Sequence, residues 1–228
     1  MSLILSIETA TKACSAALHE EGRLLARQEL QIDKSHSTFL APMIRELMDH
    51  AGKDMKALSA VAISKGPGSY TGLRIGTSTA KGICYALDIP LIAVNTLLAM
   101  AHQVNKTNYQ KYRLCPMLDA RRMEIYYLLT DANLEVIQAT QSHVVDEHSF
   151  IEVLDQGPVI FFGNGMPKTK EKLAKHPGAL FVEDIIPEAG SIGQMAWEKL
   201  KKGDFENTDS FEPFYLKDFI AGTPKKLL

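Results

Sequence analysis

Several stretches of this chain carry residue types that could do chemistry, and the first to weigh is rich in glycine. Residues 64–76 read Ser64-Lys65-Gly66-Pro67-Gly68-Ser69-Tyr70-Thr71-Gly72-Leu73-Arg74-Ile75-Gly76. Pro67 fixes one φ near about −65°, and Gly66 and Gly68 are free to take φ > 0. The segment falls where a short β-branched strand, Ala60–Ser64, should give way to a helix. Backbone N–H groups and a helix N-terminus could therefore hold an anion there. It is not a Walker loop, because no Gly-Lys-Ser/Thr follows, and it is not a GxGxxG. Two readings stay open: a stiff turn that launches a helix, or a ligand or partner site whose residues are Gly66, Pro67, Gly68, Ser69, Thr71 and Arg74.

A second candidate is Ile7-Glu8-Thr9-Ala10-Thr11, directly after the first apolar run. An ATPase of the actin type places an acidic residue and a glycine-containing turn here to face phosphates. Glu8 and Thr9 supply a carboxylate and a hydroxyl, but no glycine is present. They read either as a nucleotide or Mg²⁺ contact or as a satisfied polar turn. Asp119, Arg121 and Arg122 form an acid–base cluster, either an ion-paired turn or a polar contact to a partner or RNA. Lys168, Lys170, Lys172 and Lys175 read as a solvated helix face, and they are also the best local candidate for an RNA contact.

Other chemistries find no support. A metal on a helix needs ligands at i and i+4, but His36 is followed four residues on by Leu40, and the remaining histidines are scattered. Ser69 lies in Gly-Ser-Tyr-Thr-Gly, not in a GxSxG elbow. Cys14, Cys84 and Cys115 are sparse and far apart, which points to buried thiols in a reducing compartment.

The elements that must position these residues follow from periodicity. Leu3–Ile7, Ala13–Leu18 and Leu24–Ile32 read as a strand meander, with a turn at Glu20-Glu21-Gly22. Phe39–Ala51 is apolar at helical spacing, capped by Ser35 or Ser37 and followed by Gly52. Thr71–Leu87 is a second helix, Leu91–Val94 a strand, and Thr96–Asn105 a third helix. The order βββαβαβα predicts an α/β domain with a mixed sheet. The second half repeats the order more weakly. Strands fall at Arg113–Leu118, Ile125–Thr130, Val136–Val145, Val159–Phe162 and Leu180–Val182, with helices at Phe150–Leu154, near Lys168–Lys175, and at Ile192–Lys201. The tail, with Pro213, Gly222 and Pro224, reads as irregular. Two lobes are expected, 1–104 and 105–228, with the tail packing back on the first. The tandem pattern suggests the actin/Hsp70/sugar-kinase (ASKHA) architecture, a statement about fold alone.

Gly72, Gly76 and Ala80 lie four apart and share a helix face. Two glycines inside a helix cost about 1 kcal/mol each against alanine, so another backbone should come close, from the same chain or from a partner. The Phe39–Ala51 helix is apolar over more than one stripe. Phe39, Met43 and Leu47, with Gly72, Gly76 and Ala80, are therefore expected to form a helix-mediated partner or dimer interface.

The 228 residues are 46% hydrophobic and 23% charged with a net charge of −2, which suits a soluble α/β protein and gives no basic excess for holding RNA unaided. The N-terminus lacks a basic region and a long apolar run, so a cytoplasmic protein is expected, without a signal peptide or membrane span.

Residues 65–76, KGPGSYTGLRIG, closely resemble the GPGSFTGLRIG segment of the TsaB (YeaZ) family. Matching pieces follow in order: ILSIETAT at the start, Ser35-His36-Ser37, Asp119-Ala120-Arg121-Arg122 before Glu124-Ile125-Tyr126, Gly163-Asn164-Gly165, and Pro213-Phe214-Tyr215-Leu216. The resemblance implies an actin-like two-lobed fold. It also implies a non-catalytic role supporting TsaD, the enzyme that transfers a threonylcarbamoyl group to N6 of adenosine 37 in tRNAs reading ANN codons, with the ATPase TsaE as a third member. Family members associate through N-terminal-lobe helices, as homodimers alone and as heterodimers with TsaD. No cofactor of the chain's own is expected; ATP and a metal ion are expected on the partners, and tRNA contact only through the complex. Older labels attach M22 glycoprotease to such relatives, so an independent ATPase, a metallopeptidase and a direct nucleic-acid-binding module are the competing readings.

Overall fold

The computed structural model describes residues 1–32 and 36–217. Ser35, one of the two expected helix caps, lies outside the described residues, as do Gly222 and Pro224. The first sheet is built from β1 (Leu3–Glu8), β2 (Cys14–Glu20), β3 (Arg23–Leu30), β4 (Leu58–Gly66) and β5 (Leu91–Asn95). The second comprises β6 (Arg113–Asp119), β7 (Glu124–Thr130), β8 (Val136–Val144), β9 (Val159–Phe162) and β10 (Ala179–Val182). Their strand orders are β3-β2-β1-β4-β5 and β8-β7-β6-β9-β10. Each is an antiparallel meander extended by two parallel strands. The repeat of element order read from the sequence is thus a repeat of topology.

β1 is central, and all six of its residues are buried. Strand alternation sends Leu3, Leu5 and Ile7 to one face, where they meet Leu40, Met43, Ile44, Leu47 and Met48 of α1 (His36–His50) and Ala80 and Cys84 of α2 (Tyr70–Leu87). Each such side chain contributes about 1.5–3 kcal/mol on burial. Ser37 lies inside the first turn of α1, and Gly52 takes φ +64° after its last turn, the left-handed stop that glycine allows.

The opposite face of the first sheet carries Ile4, Ala60, Ala62, Ile92 and Val94, and these are covered by Ile192 and Ala196 of α6 (Ala189–Lys202). This corrects the expected lobe boundaries: α6 comes late in the chain but belongs to the first sheet. α3 (Thr96–Asn105) corrects them a second time. Its Leu97, Met100, Ala101 and Val104 pack with Leu114, Leu118, Leu128, Ile160 and Phe162 of the second sheet. One helix therefore lies between the sheets, and the halves share a core. α4 (Ile151–Leu154) and α5 (Lys170–Leu173) are single turns beside the second sheet. The latter is shorter than the expected charged helix.

Residues 203–217 return across the first lobe. Glu206 bridges Leu91, Phe211 packs on the first core, and the Phe214 N–H donates to the Lys65 carbonyl at 2.7 Å. Among the described residues no helix is long and apolar enough to cross a membrane.

Candidate functional site

β4 ends at Gly66, and α2 begins four residues beyond it, at Tyr70 after Ser69. The Ser69 hydroxyl accepts the Gly72 N–H at 3.3 Å, and Ser69 itself is the N-cap. Its backbone N–H donates to the Ala10 carbonyl at 2.7 Å. The signature segment is therefore bonded to the turn that leaves β1. Gly66 takes φ +110°, and the Phe214 carbonyl lies 2.7 Å from where its Cβ would be. The Gly66–Pro67 bond is cis. A Cβ on Gly68 would collide with the Ala10 carbonyl, one on Gly72 with the Thr9 carbonyl, and one on Gly76 with Thr9 Oγ1.

These contacts correct the expected partner face. Gly72, Gly76 and Ala80 are buried within the chain, with the Thr9 carbonyl against Gly72 and the Thr9 side chain against Gly76. Met43 and Leu47 are core residues under α1. Phe39 alone of those six is exposed, at 40%. A bulky residue at Gly76 would therefore disrupt the turn rather than a dimer. The outward face of α2 carries Thr71, Arg74, Ser78, Gly82 and Tyr85, the last 83% exposed. A groove of about 610 Å³ between α1 and α2 is lined by Ile44, Arg45, Met48, Thr79 and Ile83 among others.

Glu8 is fully buried, and its Oε1 accepts the Ala10 N–H at 2.5 Å. Burial pushes its carboxyl up to about 7, against the opposing pull of that N–H. Its Oε2 and the hydroxyls of Thr9 and Ser64 have no hydrogen-bond partner among the described residues. Among the described residues, no three His, Cys, Asp or Glu side chains come together to hold a metal. His36 is buried and pairs with the Ala13 carbonyl at 3.2 Å.

Asp119, Arg121 and Arg122 lie in the equivalent turn of the second sheet. Asp119 Oδ1 accepts the Arg121 N–H at 2.9 Å, Asn164 Oδ1 accepts the Asp119 N–H at 3.0 Å, and Lys168 pairs with Asp119. Arg121 and Arg122 both sit at positive φ, 71° and 49°, and both are exposed. Among the described residues no hydrogen bond or ion pair joins this cluster to Glu8 or Thr9. The lysine row is largely neutralised: Lys170 pairs with Glu183 at 2.6 Å and Lys175 with Glu147 at 2.9 Å.

Two features escaped the sequence reading. Ser6, Glu8, Ser15, His19 and Ser64 are all buried, on the strand face that α6 covers. A Cβ on Gly193 of α6 would collide with His19 and Ser6. Burial lowers His19 to about 4. The available signal was weak: polar residues alternating with apolar ones in β1 and β2 look like exposed positions. The second feature is the set of side-chain contacts that the returning tail makes. Tyr215 stacks on Tyr70 with centroids 4.9 Å apart, accepts a bond from Arg74 Nε at 3.3 Å, and sits where Arg74 lies 4.2 Å over the Tyr70 ring.

Comparison with known proteins agrees with this geometry. Residues 29–222 match the family model described as TsaD: tRNA N6-adenosine threonylcarbamoyltransferase. The tRNA threonylcarbamoyladenosine biosynthesis protein TsaB of Escherichia coli is 30% identical over 225 residues, covering 96% of each chain. That of Bacillus subtilis is 30% identical over 198 residues, 85% of this chain and 80% of the relative. The solved structure of YeaZ from Pseudomonas aeruginosa superposes with a TM-score of 0.81 at 29% identity, covering 95% of this chain and 100% of that one. An activator of 2-hydroxyisocaproyl-CoA dehydratase from Clostridium difficile superposes at a TM-score of 0.53 with 11% identity. At that identity the likeness concerns the fold alone, which is the α/β, two-sheet ASKHA architecture. A chain that carries the KGPGSYTGLRIG turn on this fold, and matches these relatives along almost its whole length, belongs to the TsaB (YeaZ) family of tRNA threonylcarbamoyladenosine biosynthesis proteins, within the wider TsaD-like family.

Proposed function

We propose that this chain is a non-catalytic partner and scaffold of a TsaD-type threonylcarbamoyltransferase, needed for threonylcarbamoyl transfer to adenosine 37 of tRNAs reading ANN codons. The observation that carries this reading is the mutual packing of the Glu8–Thr9–Ala10 turn and the signature glycines. The Ala10 N–H is bonded to Glu8 and the Ser69 N–H to the Ala10 carbonyl, so these two backbone donors are taken up inside the chain. What remains available is the outer face of α1 and α2, which exposes Phe39, Arg74 and Tyr85 and carries the groove between the two helices. Exposed aromatic and arginine side chains are the types that anchor protein interfaces. In this reading the same face serves a homodimer when the chain is alone, TsaE and tRNA join through the complex, the protein works in the cytoplasm, and it needs no cofactor of its own.

The test is co-purification with the same organism's threonylcarbamoyltransferase, followed by in vitro transfer with and without this chain. Tyr85→Arg should weaken the complex at least ten-fold and leave the urea midpoint unchanged. Hydrolysis of ATP or peptide by the chain alone, lost in Glu8→Ala, would sink the scaffold reading in favour of an independent ATPase or metallopeptidase.

A further inference from the structure

The returning tail has two parts of different character. Residues 206–214 are anchored: Glu206 bridges Leu91, the Lys81 ammonium donates to the Asp209 and Phe211 carbonyls at 3.0 and 3.2 Å, and Phe214 is bonded to Lys65. Gly66 has room for Phe214 only because it lacks a Cβ. Residues 215–217 are held by much less. Tyr215 has its stack on Tyr70 and the 3.3 Å bond from Arg74, and Lys217 has an ion pair with Glu124 of the second sheet. Contacts of this kind at a surface are individually weak.

Arg74 lies on the same outward stripe of α2 as Ser78 and Tyr85. Tyr215 therefore covers one end of the face proposed for docking. We infer that residues 215–217 are a removable self-cap on the Arg74 end of the α2 face, exchanged for the side chains of a docking protein while residues 206–214 stay in place. This inference rests on the docking reading above and adds its regulation: the face is pre-occupied, so the apparent affinity of any partner is reduced by the fraction of chains that are capped.

The cap can be tested without a partner, in the isolated chain diluted until it is monomeric. With fluorotyrosine at all 7 tyrosines, the Tyr215 resonance is assigned by its loss in Tyr215→Phe. In the isolated chain, Arg74→Ala and Lys217→Glu should each move the Tyr215 line toward its position in the unfolded chain. The pair Lys217→Glu with Glu124→Lys should return it. A line that does not respond to either single substitution overturns the cap. With the threonylcarbamoyltransferase added, the wild-type line should shift in the same direction, and Tyr215→Ala should bind that enzyme about five-fold tighter. Equal or weaker binding by Tyr215→Ala overturns the competition. If the wild-type chain does not bind the enzyme at all, the scaffold reading falls and takes the regulation with it, while the partner-free shifts still decide whether the self-contact exists.

Discussion

The turn after β1 and the turn after β6 hold equivalent places in two sheets of the same topology, and the chain treats them in opposite ways. The first is sealed. Glu8 and Thr9 are buried, and Gly68, together with Gly72 and Gly76 of α2, lies so close against the turn that no Cβ fits. The second is open and charged. Asp119, Arg121 and Arg122 are exposed, and the loop is held from outside by Asn164 and Lys168. A shared topology thus sets where a turn goes. Helix packing over it decides whether it can meet anything.

The largest expected effect breaks the sealed turn. Gly72→Ala puts a methyl group against the Thr9 carbonyl, which is backbone and cannot swing away, so unfolding should become easier by about 2–4 kcal/mol. Gly76→Ala meets the Thr9 hydroxyl instead. Thr9→Ala should therefore rescue much of Gly76→Ala and none of Gly72→Ala, a coupling that a double-mutant cycle in urea would measure. Equal rescue of both would remove the distinction drawn here between backbone and side-chain contact.

The second effect is a pH dependence centred on the same turn. Glu8 holds its proton up to about 7 when folded, against 4.5 as a free group. Its contribution to stability is whole below pH 4.5 and is lost as pH rises through 7, because only the unfolded chain ionises freely in between. Glu8→Gln should thus gain on the wild type by up to about 3 kcal/mol between pH 5 and 8. His19 works in the opposite direction. It is lowered from 6.5 to about 4, so stability falls as pH drops from 6.5 through 4, again by up to about 3 kcal/mol. His19→Gln should flatten that acid limb, followed through the fluorescence of Trp197 on α6. An acid limb that survives the substitution unchanged would assign it elsewhere.

The smallest effect sharpens the contrast from the open side. Arg121 and Arg122 are held at positive φ, which glycine adopts without the Cβ penalty. Arg122→Gly should leave the protein as stable as before or up to about 1 kcal/mol more stable, whereas a methyl group added at Gly72 or Gly76 against the sealed turn costs stability. A clear loss on thermal melting would mean that the Arg122 side chain has a structural partner.

Much of the secondary structure was legible because its signals are local. The alternation and run length of β1, β2 and β9, the helical spacing of Leu40, Met43, Ile44 and Leu47, and the glycine after α1 each depend on residues a few positions apart. The family turn was legible for the same reason. The site was less so. A stripe of Gly72, Gly76 and Ala80 announces that something packs closely, but it carries no information about what that is. Likewise, Ser6, Ser15 and His19 look like solvent-facing positions until α6, more than a hundred residues later, covers them.

By itself the sequence determined the order of the elements, the repeated meander-plus-parallel plan and the family, all of which follow from short-range patterns. Only the tertiary structure decided which surfaces are spent inside the chain. It turned the glycine stripe from a docking face into a seat for Thr9, placed α6 on the first sheet, and left Tyr85 and Arg74 outside. The physical reason is that burial is a property of pairs of segments far apart in sequence, and no local pattern records which partner will arrive.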